Sequence, residues 1–422
     1  MGIPHYQKTV LDNGLRVVSE HIPTVRSVAI GVWVMTGTRY EKTEQNGISH
    51  FLEHMVFKGT DKRNSFEIAH SLESVGGVLN AFTGKELTCY YARILDEHLP
   101  IAVDVLSDIL LNSRFDAEEM EKEKKVVLEE INNMEDTPDD WVHELYAQNL
   151  YRGHSLGRPV LGSRKIVQNM TREDLAGYLA ECYGAQRVVI SAAGNVDHQA
   201  LVDMVSRHFT FTPSGFKGNN DVAASAEARA VMYKKDILQS HVCLGAIGVP
   251  YNHPDRFDLL VLNTILGSGM SSRLFQNIRE KTGMAYAVYS FLDFFHDTGS
   301  FTTYIGADPA KTRQAIKLIL KEYADLVNND LKADELEKCK SQLKGSLLLG
   351  LESTNNRMTH LARTEIYLDR FVGLDELIKA IDSVTAEGVR NIGGKILAED
   401  RLCLTVLSPL EVGTVKVEDL KY

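Results

Sequence analysis

Apolar and polar positions follow two different periods along this chain of 422 residues. Runs rich in β-branched residues, interrupted by turn signals, predict a hairpin over 9–18 around Asn13-Gly14 and a second one over 78–95. Similar runs predict single strands at 25–36 and 187–193. Apolar positions that recur every three to four residues predict helices at 47–57, 66–75, 98–111 and 116–134. The candidate chemistry of the chain lies on these elements.

The helix over 47–57 carries two histidines and a glutamate on one face. His50 and His54 are one helical turn apart, so their imidazoles point the same way. The apolar stripe of the helix lies on the opposite side, which leaves either a solvated polar face or a site covered by another part of the protein. Asn46 and Gly47 supply a start for the helix. The order His50-x-x-Glu53-His54 is that of the inverted zinc-peptidase motif, and its context must decide whether it binds a metal.

A third metal ligand is expected from the helix over 116–134, because a catalytic zinc usually takes three protein ligands. Asp116 can cap this helix. Glu123 and Glu130 lie two turns apart at the edge of its inward stripe, whereas Glu129 points away. Charged runs are usually solvated faces, but glutamates aimed at the interior need a partner. Periodicity therefore selects Glu130 as the candidate ligand, with Glu123 behind it.

Composition narrows the classes of partner. The net charge of −11 argues against nucleic acid and is compatible with a basic peptide. The five cysteines are scattered and odd in number, which favours free thiols in a reducing compartment. No apolar run is long enough to span a membrane, and the first residues lack the features of a signal or transit peptide. These features predict a cytoplasmic protein, and the missing presequence favours a bacterial one.

The chain divides nearly in half at a segment rich in Gly, Ser and Asn. This composition predicts a linker at 213–228, between a domain at 1–212 and a domain at 229–422, although a long surface loop would have the same composition. The halves resemble a diverged repeat, in which the helix over 47–57 corresponds to 256–266. The second copy has no histidines at the matching positions, so it is expected to lack the metal ligands.

Two motifs occur together in this chain, His50-x-x-Glu53-His54 and Glu123-Lys-Lys-Val-Val-Leu-Glu-Glu130. With this combination, the chain resembles the pitrilysin-type (M16) zinc peptidases, and the likeness covers nearly its whole length. It looks most like the short subfamily that contains the mitochondrial processing peptidase β-subunit and its bacterial homologues. The resemblance implies an α+β fold of two similar tandem domains, each a mainly antiparallel sheet covered by helices (the LuxS/processing-peptidase-like metallohydrolase fold). It also implies that His50, His54 and Glu130 bind one Zn²⁺ per chain, with Glu53 as general base and Glu123 as a supporting acid.

Weaker matches suggest where a substrate binds. Asn80, Ala81 and Phe82 resemble the segment that presents an edge strand to the substrate backbone in this family. Phe57 matches a position near the pocket that follows the scissile bond. Without the resemblance, these residues would be read as an ordinary hairpin strand and a core phenylalanine.

Four further residues match through the resemblance alone. Arg279 and Tyr286 resemble a pair that holds the substrate and stabilises the oxyanion, and the short subfamily is expected to supply this pair from a partner subunit. A homodimer would then complete the site. Asp140 and Glu144 resemble the acids that recognise a basic residue upstream of the scissile bond. Unaided, Arg279 reads as a surface ion-pair residue, and acids four residues apart are common on helix surfaces.

The sequence thus favours a zinc metalloendopeptidase acting on unfolded peptides or presequence-like segments. One alternative is a non-catalytic scaffold subunit with the same fold, like the core subunits of the respiratory bc1 complex. A structural zinc module is a third interpretation, but such sites usually have four protein ligands, mostly cysteines.

Overall fold

The computed structural model describes residues 6–216, 218, 224 and 227–421. These residues form two compact units, each assembled from three separate stretches of chain. The described residues of Met1–Asn132, Arg158–Asn220 and Leu349–Val372 form the N-terminal unit. Those of Asn133–Gly157, Asp221–Leu348 and Gly373–Tyr422 form the C-terminal unit.

The N-terminal unit is built on one mixed sheet. Within the described ranges its strands are β1 (Tyr6–Val10), β2 (Arg16–His21), β3 (Ser27–Val34), β4 (Val78–Thr83), β5 (Thr88–Leu95) and β6 (Val188–Gly194). They lie in the order β1-β2-β6-β3-β5-β4. Only β2 and β6 are parallel neighbours among these strands. Both predicted hairpins are confirmed, and β4 lies at an edge of the sheet.

Helices follow the strands as the apolar periodicity predicts. The first half of the chain contributes α1 (Ile48–Met55), α2 (Ser65–Glu73), α3 (Leu99–Leu111), α4 (Ala117–Asp136), α5 (Pro138–Leu150), α6 (Arg164–Asn169), α7 (Arg172–Cys182) and α8 (His198–His208). The apolar stripe of α1 is completely buried, including Phe51 and Leu52. Asp116 caps α4 as predicted, because its Oδ1 accepts hydrogen bonds from the backbone N–H groups of Glu118 and Glu119.

The sheet of the C-terminal unit repeats this topology. Its strands are β7 (Arg229–Lys234), β8 (Ser240–Ile247), β9 (Ala285–Phe294), β10 (Gly299–Ala307) and β11 (Cys403–Ser408). They lie in the order β7-β11-β8-β10-β9, with β7 and β11 parallel. This is the order of β2-β6-β3-β5-β4, so the predicted repeat is confirmed, and so is the α+β architecture of two similar domains.

The second half of the chain also repeats the helical layer. Its helices are α9 (Arg256–Gly267), α10 (Thr312–Asn328), α11 (Ala333–Gly350), α12 (Thr354–Leu368), α13 (Leu374–Asp382) and α14 (Ala386–Ile396). A π-helical segment covers Phe275–Glu280. α9 follows β8 as α1 follows β3, which agrees with the pairing of these two helices in the sequence.

Each half of the chain contributes one helix to the unit that the other half mainly forms. α5 belongs to the C-terminal unit, where it packs on β8 and β11. α12 belongs to the N-terminal unit, where it packs on β2, β3 and β6. There the Trp33 indole N–H donates to the sulfur of Met358 at 3.2 Å. Each sheet therefore has a helical cover that is distant in sequence.

The division into 1–212, 213–228 and 229–422 stays a prediction about the sequence. Part of its linker, residues 217, 219–223 and 225–226, lies outside the described residues. No helix within the described ranges is long and apolar enough to cross a membrane.

Candidate active site

The start of α1 is held by a buried carboxylate. Glu41 is completely buried, and it accepts hydrogen bonds from Gly47 N at 2.8 Å, Ser49 N at 2.9 Å and Asn46 Nδ2 at 2.8 Å. Burial raises the pKa of Glu41, and these hydrogen bonds oppose the rise. The side chain of Asn46 therefore binds Glu41 rather than a helix amide. Sequence reasoning misses Glu41, because it lies too far from α1 to match a local capping pattern.

Gly47 is required at the first turn of α1 for two reasons. Its φ of +98° lies in the left-handed region, which favours glycine. A Cβ there would lie 2.8 Å from the Cα of Gly162. The close contact fixes the entry of the chain into α1, and thereby the direction in which its histidines project.

Two imidazoles from α1 and one carboxylate from α4 converge. His50 Nε2 lies 3.7 Å from Glu130 Oε2, and His54 Nε2 lies 3.6 Å from Glu130 Oε1. One ligand atom from each of the three residues lies within 4.8 Å of the other two, and the described part of the chain contains no other such group. The geometry agrees with the periodicity that selects Glu130, since Glu129 is exposed on the far side of α4.

The donor set fits a divalent cation. Glu130 Oε2 is buried and has no hydrogen-bond partner among the described residues, and a cation would satisfy it. Burial, together with the neighbouring His54, lowers the pKa of His50 to about 3. The imidazole is therefore neutral, which is the form that binds metals. Two imidazole nitrogens and one carboxylate oxygen are a common set for a catalytic zinc.

Glu123 connects the group to a lysine. Its Oε1 lies 2.9 Å from His54 Nδ1, and its Oε2 lies 2.7 Å from Lys58 Nζ. Burial alone would raise the pKa of Glu123, but the hydrogen bonds from His54 and Lys58 outweigh burial and lower it. For His54, burial favours the neutral ring, but the hydrogen bond with Glu123 raises its pKa. Glu123 thus holds the Nδ1 proton and leaves Nε2 directed toward Glu130.

Glu53 lies beside the convergent group on the same helix. The hydroxyl of Thr83, the last residue of β4, donates to Glu53 Oε2 at 2.5 Å. Burial raises the pKa of Glu53. Sequence reasoning gives no individual role to Thr83 or Lys58. Thr83 belongs to the segment Asn80-Ala81-Phe82-Thr83 that resembles the family's edge strand, and the only sequence signal for Lys58 is its spacing from His54.

The free edge of β4 lies next to Glu53. β4 pairs only with β5 among the described strands. Along the antiparallel β4-β5 pair, hydrogen-bonded and non-hydrogen-bonded residue pairs alternate. The hydrogen bond from Gly84 N to Leu87 O shows which pairs are bonded, so the N–H and C=O groups of Leu79, Ala81 and Thr83 point away from β5. Asn80 Oδ1 accepts from Ala81 N at 2.8 Å. The N–H of Ala81 is thereby occupied, whereas the outward backbone groups of Leu79 and Thr83 have no strand partner among the described residues and lie beside the convergent group.

The other predicted substrate residues lie on two sides of this sheet. Phe82 packs edge-on against Trp33, with ring centroids 5.5 Å apart, on the face that α12 covers. Phe57 is half-buried and packs against the core on the face that carries α1. Phe57 also lines a cavity of about 230 Å³ at the start of β4.

The structure describes all four residues that were predicted by resemblance in the C-terminal unit. The Arg279 guanidinium lies 5.4 Å from the ring centroid of Tyr286 and 4.6 Å from that of Phe275. Tyr286 is 81% exposed. Asp140 is exposed and Glu144 is half-buried on α5. The structure thus brings Arg279 and Tyr286 together, and the roles of all four stay predictions.

Comparison with known proteins assigns the family. Residues 16–164 match the family described as insulinase (peptidase family M16), and residues 169–343 match the one described as peptidase M16 inactive domain. The chain belongs to peptidase family M16.

Similar proteins from bacteria are named zinc proteases. The uncharacterized zinc protease YmxG of Bacillus subtilis is 44% identical over 397 residues, which cover 94% of this chain and 97% of that protein. The uncharacterized zinc protease SCO5738 of Streptomyces coelicolor is 39% identical over 422 residues, with 97% and 91% covered. The crystal structure of a protease from Helicobacter pylori superposes with a TM-score of 0.88 at 22% identity, covering 96% of this chain and 100% of that chain. At this identity, the structure supports the fold alone.

Proposed function

We propose that this protein is a zinc-dependent endopeptidase that hydrolyses unfolded peptides or presequence-like segments. The observation that carries the proposal is the convergence of His50, His54 and Glu130 beside a half-buried Glu53. The relatives named zinc proteases support zinc as the metal. The free edge of β4 supports a peptide as the substrate, because an added strand gains main-chain hydrogen bonds whatever its sequence.

His50, His54 and Glu130 would hold one zinc ion per chain. Zinc bound there would supply a Lewis acid that activates a water molecule and polarises the scissile carbonyl. Glu53 accepts a proton from the attacking water and delivers it to the leaving amine. Its raised pKa suits both tasks, because the carboxylate must gain and then lose that proton. Thr83 orients Glu53 through its hydroxyl, and Glu123 orients the His54 ring.

The resemblance supplies the remaining parts of the proposal. The protein forms a homodimer in which Arg279 and Tyr286 act at the site of the partner, where they hold the substrate. Asp140 and Glu144 favour a basic residue upstream of the scissile bond. The exposed ring of Tyr286 supports a contact beyond its own unit. The bacterial relatives support a bacterial protein, and the cytoplasm is the compartment we propose.

Metal analysis combined with a peptide-cleavage assay tests the function. Wild-type protein is expected to contain zinc, to cleave an unfolded peptide, to lose activity with a chelator and to regain it with added zinc. Glu53→Gln is expected to keep the zinc and lose nearly all turnover, whereas Glu129→Gln, an exposed neighbour of Glu130, keeps both. Activity in zinc-loaded Glu53→Gln would reject the role of Glu53. If zinc-loaded wild type cleaves no peptide, the scaffold alternative holds instead.

A further inference from the structure

The turn that joins β4 to β5, residues 84–87, directly follows the threonine that contacts the proposed general base. Thr83 ends β4, and its hydroxyl donates to Glu53 Oε2 at 2.5 Å. Glu53 lies on α1, whose first turn is fixed by the carboxylate of Glu41. Contacts that fix the β4-β5 turn relative to Glu41 therefore also fix the Thr83 hydroxyl relative to Glu53.

The backbone that precedes Glu41 lies along this turn. Thr38 N donates to Gly84 O at 3.3 Å, and Arg39 N donates to Lys85 O at 2.8 Å. Two consecutive residues of the segment are thus hydrogen-bonded to two consecutive residues of the turn. The second of these bonds lies only two residues before Glu41, so the turn and the start of α1 are held by one short piece of chain.

A buried ion pair joins the same two segments through their side chains. Arg39 Nη1 lies 2.5 Å from Glu86 Oε1, and the two side chains are only 7% and 3% exposed. The hydroxyl of Tyr367, on α12, donates to Glu86 Oε2 at 3.0 Å. Glu86 is therefore held through both carboxylate oxygens, by the segment before Glu41 and by a helix that is distant in sequence.

Stability alone does not explain why this pair is buried. The desolvation penalty of two buried charges offsets most of their attraction, and apolar residues of similar volume often stabilise a fold equally well. A buried pair does favour one arrangement, because a charge that loses its partner in the interior is strongly unfavourable. For the β4-β5 turn, this arrangement is the one that places the Thr83 hydroxyl on Glu53.

We propose that Arg39, Glu86 and Tyr367 are positioning residues for the proposed general base. They hold the β4-β5 turn against the segment before Glu41, and this keeps the Thr83 hydroxyl within hydrogen-bond distance of Glu53. The Glu53 carboxylate is thereby kept in one orientation for its proton transfers. The effect on turnover rests on the proposed peptidase function, whereas the effect on the turn does not.

A charge-free pair tests positioning without leaving a buried charge. In Arg39→Met/Glu86→Met, two unbranched apolar side chains replace the ions, so the variant is expected to fold with a Tm close to that of wild type. Its zinc content is expected to match wild type, because the three candidate ligands are unchanged. We expect kcat to fall by about ten- to a hundredfold with KM unchanged, since a small misplacement of a reacting group has an effect of this size.

A double-mutant cycle with Thr83→Val identifies the route of the effect. Thr83→Val removes the hydroxyl and keeps the shape of the side chain. If the ion pair acts through Thr83, the combined variant loses no more kcat than the more impaired of its two parents. Losses that multiply would show that the pair acts elsewhere in the structure, and they would overturn the proposal. Wild-type kcat in Arg39→Met/Glu86→Met would overturn it as well.

Tyr367→Phe repeats the cycle with a milder change, which keeps the test valid if the double methionine variant does not fold. It removes one donor to Glu86 and leaves the ion pair in place. We expect kcat to fall by about two- to tenfold, the net effect of one hydrogen bond, with no further loss when Thr83→Val is added. Unchanged kcat, or a further loss in the combined variant, would contradict the proposal.

The ion pair between Glu20 and Arg357 supplies the matched control. It joins β2 to α12 at 2.5 Å, and β2 is separated from β5 by two strands of the sheet. Glu20→Met/Arg357→Met removes the same charges from the same unit, and kcat is expected to stay at the wild-type value. A loss equal to that of Arg39→Met/Glu86→Met would assign the effect to the packing of α12 and overturn the positioning role.

Amide hydrogen exchange, measured by mass spectrometry, separates positioning from the peptidase function. The amides of Thr38, Arg39 and Gly84 are hydrogen-bonded in or across the turn. In Arg39→Met/Glu86→Met or Tyr367→Phe, they are expected to exchange about two- to tenfold faster, and the control pair leaves them unchanged. Faster exchange in a protein that cleaves no peptide supports the hold on the turn and assigns the failure to the proposed function. Unchanged exchange rejects the positioning role whether or not peptides are cleaved.

Discussion

Replacing Glu41 by Gln tests whether a single buried carboxylate sets the direction of the helix that carries both histidines. The substitution keeps the size and shape of the side chain and removes its charge. The carboxylate accepts from Gly47 N and Asn46 Nδ2 on one oxygen and from Ser49 N on the other. Glutamine keeps one acceptor oxygen and places an NH₂ group against the remaining donors. At least one buried donor therefore loses its partner.

The expected cost follows from these contacts. A buried donor without a partner costs about 1–3 kcal/mol. Loss of a negative charge at a helix N-terminus adds about 0.3–1 kcal/mol. Relief of the buried charge offsets part of this loss, since burial raises the pKa of Glu41. We therefore expect the free energy of unfolding to fall by about 2 kcal/mol, which lowers Tm by about 4–8 °C for a unit of this size.

Thermal unfolding of metal-free protein, followed by circular dichroism, measures this change. A second measurement is the zinc affinity, obtained by competition with a chelating dye. Because α1 carries His50 and His54, we expect affinity to fall at least about tenfold, as for other residues that support metal ligands. The zinc measurement at low temperature, where the variant is folded, separates the orientation of α1 from global stability.

Glu44→Gln serves as the control, because Glu44 is exposed and lies three residues from Glu41. Its Tm and zinc affinity are expected to match wild type. If Glu41→Gln melts within about 1 °C of wild type and binds zinc equally well, Glu41 does not hold the start of α1, and the reasoning from its hydrogen bonds is wrong.

Three further predictions concern the proposed metal ligand Glu130, the buried Asp108 and the pair proposed to act across subunits. Glu130→Gln is expected to lose more zinc affinity than the roughly tenfold typical of a residue that only supports a ligand, whereas Glu129→Gln leaves the affinity unchanged. Equal zinc contents of the two variants by inductively coupled plasma mass spectrometry would remove Glu130 from the ligand set. Asp108 is buried on α3, and its carboxylate accepts hydrogen bonds from Thr60, Arg63 and Asn112. Burial alone would raise its pKa, but these hydrogen bonds outweigh burial and lower it. The stability that the Asp108 carboxylate adds is therefore complete above its unfolded pKa of about 3.9, and it is lost as pH falls through its lower folded pKa. The difference in Tm between wild type and Asp108→Asn is expected to shrink in acid. A difference that grows in acid would contradict a lowered pKa for Asp108. Mixing Arg279→Ala chains with Glu53→Gln chains is expected to restore roughly a quarter of wild-type activity if the site is shared in a two-fold dimer, and no recovery excludes action across subunits.

Local periodicity predicts the parts of this protein that depend on neighbours along the chain. The alternation over 78–95 predicts the β4-β5 hairpin, and the 3.6-residue period predicts α1 and α4 within about two residues of their observed ends. The same period separates Glu130 from Glu129, because one lies on the inward edge of α4 and the other does not.

Contacts between distant segments leave no comparable pattern. Glu41 reaches α1 from outside the helix, and Thr83 reaches Glu53 from the end of β4. Neither residue differs in type or spacing from an ordinary surface acid or strand threonine. The sequence does not predict the exchange of α5 and α12 either, because an amphipathic pattern does not show which sheet a helix covers.

The exchanged helices also set the order in which the chain can fold during synthesis. The N-terminal unit needs Leu349–Val372 to cover Trp33, so its sheet waits for most of the polypeptide to leave the ribosome. Until then, an apolar surface that includes Trp33 stays open to chaperones. A protein truncated after residue 212 would keep that surface permanently, and we expect it to aggregate unless the missing α12 is supplied as a separate peptide.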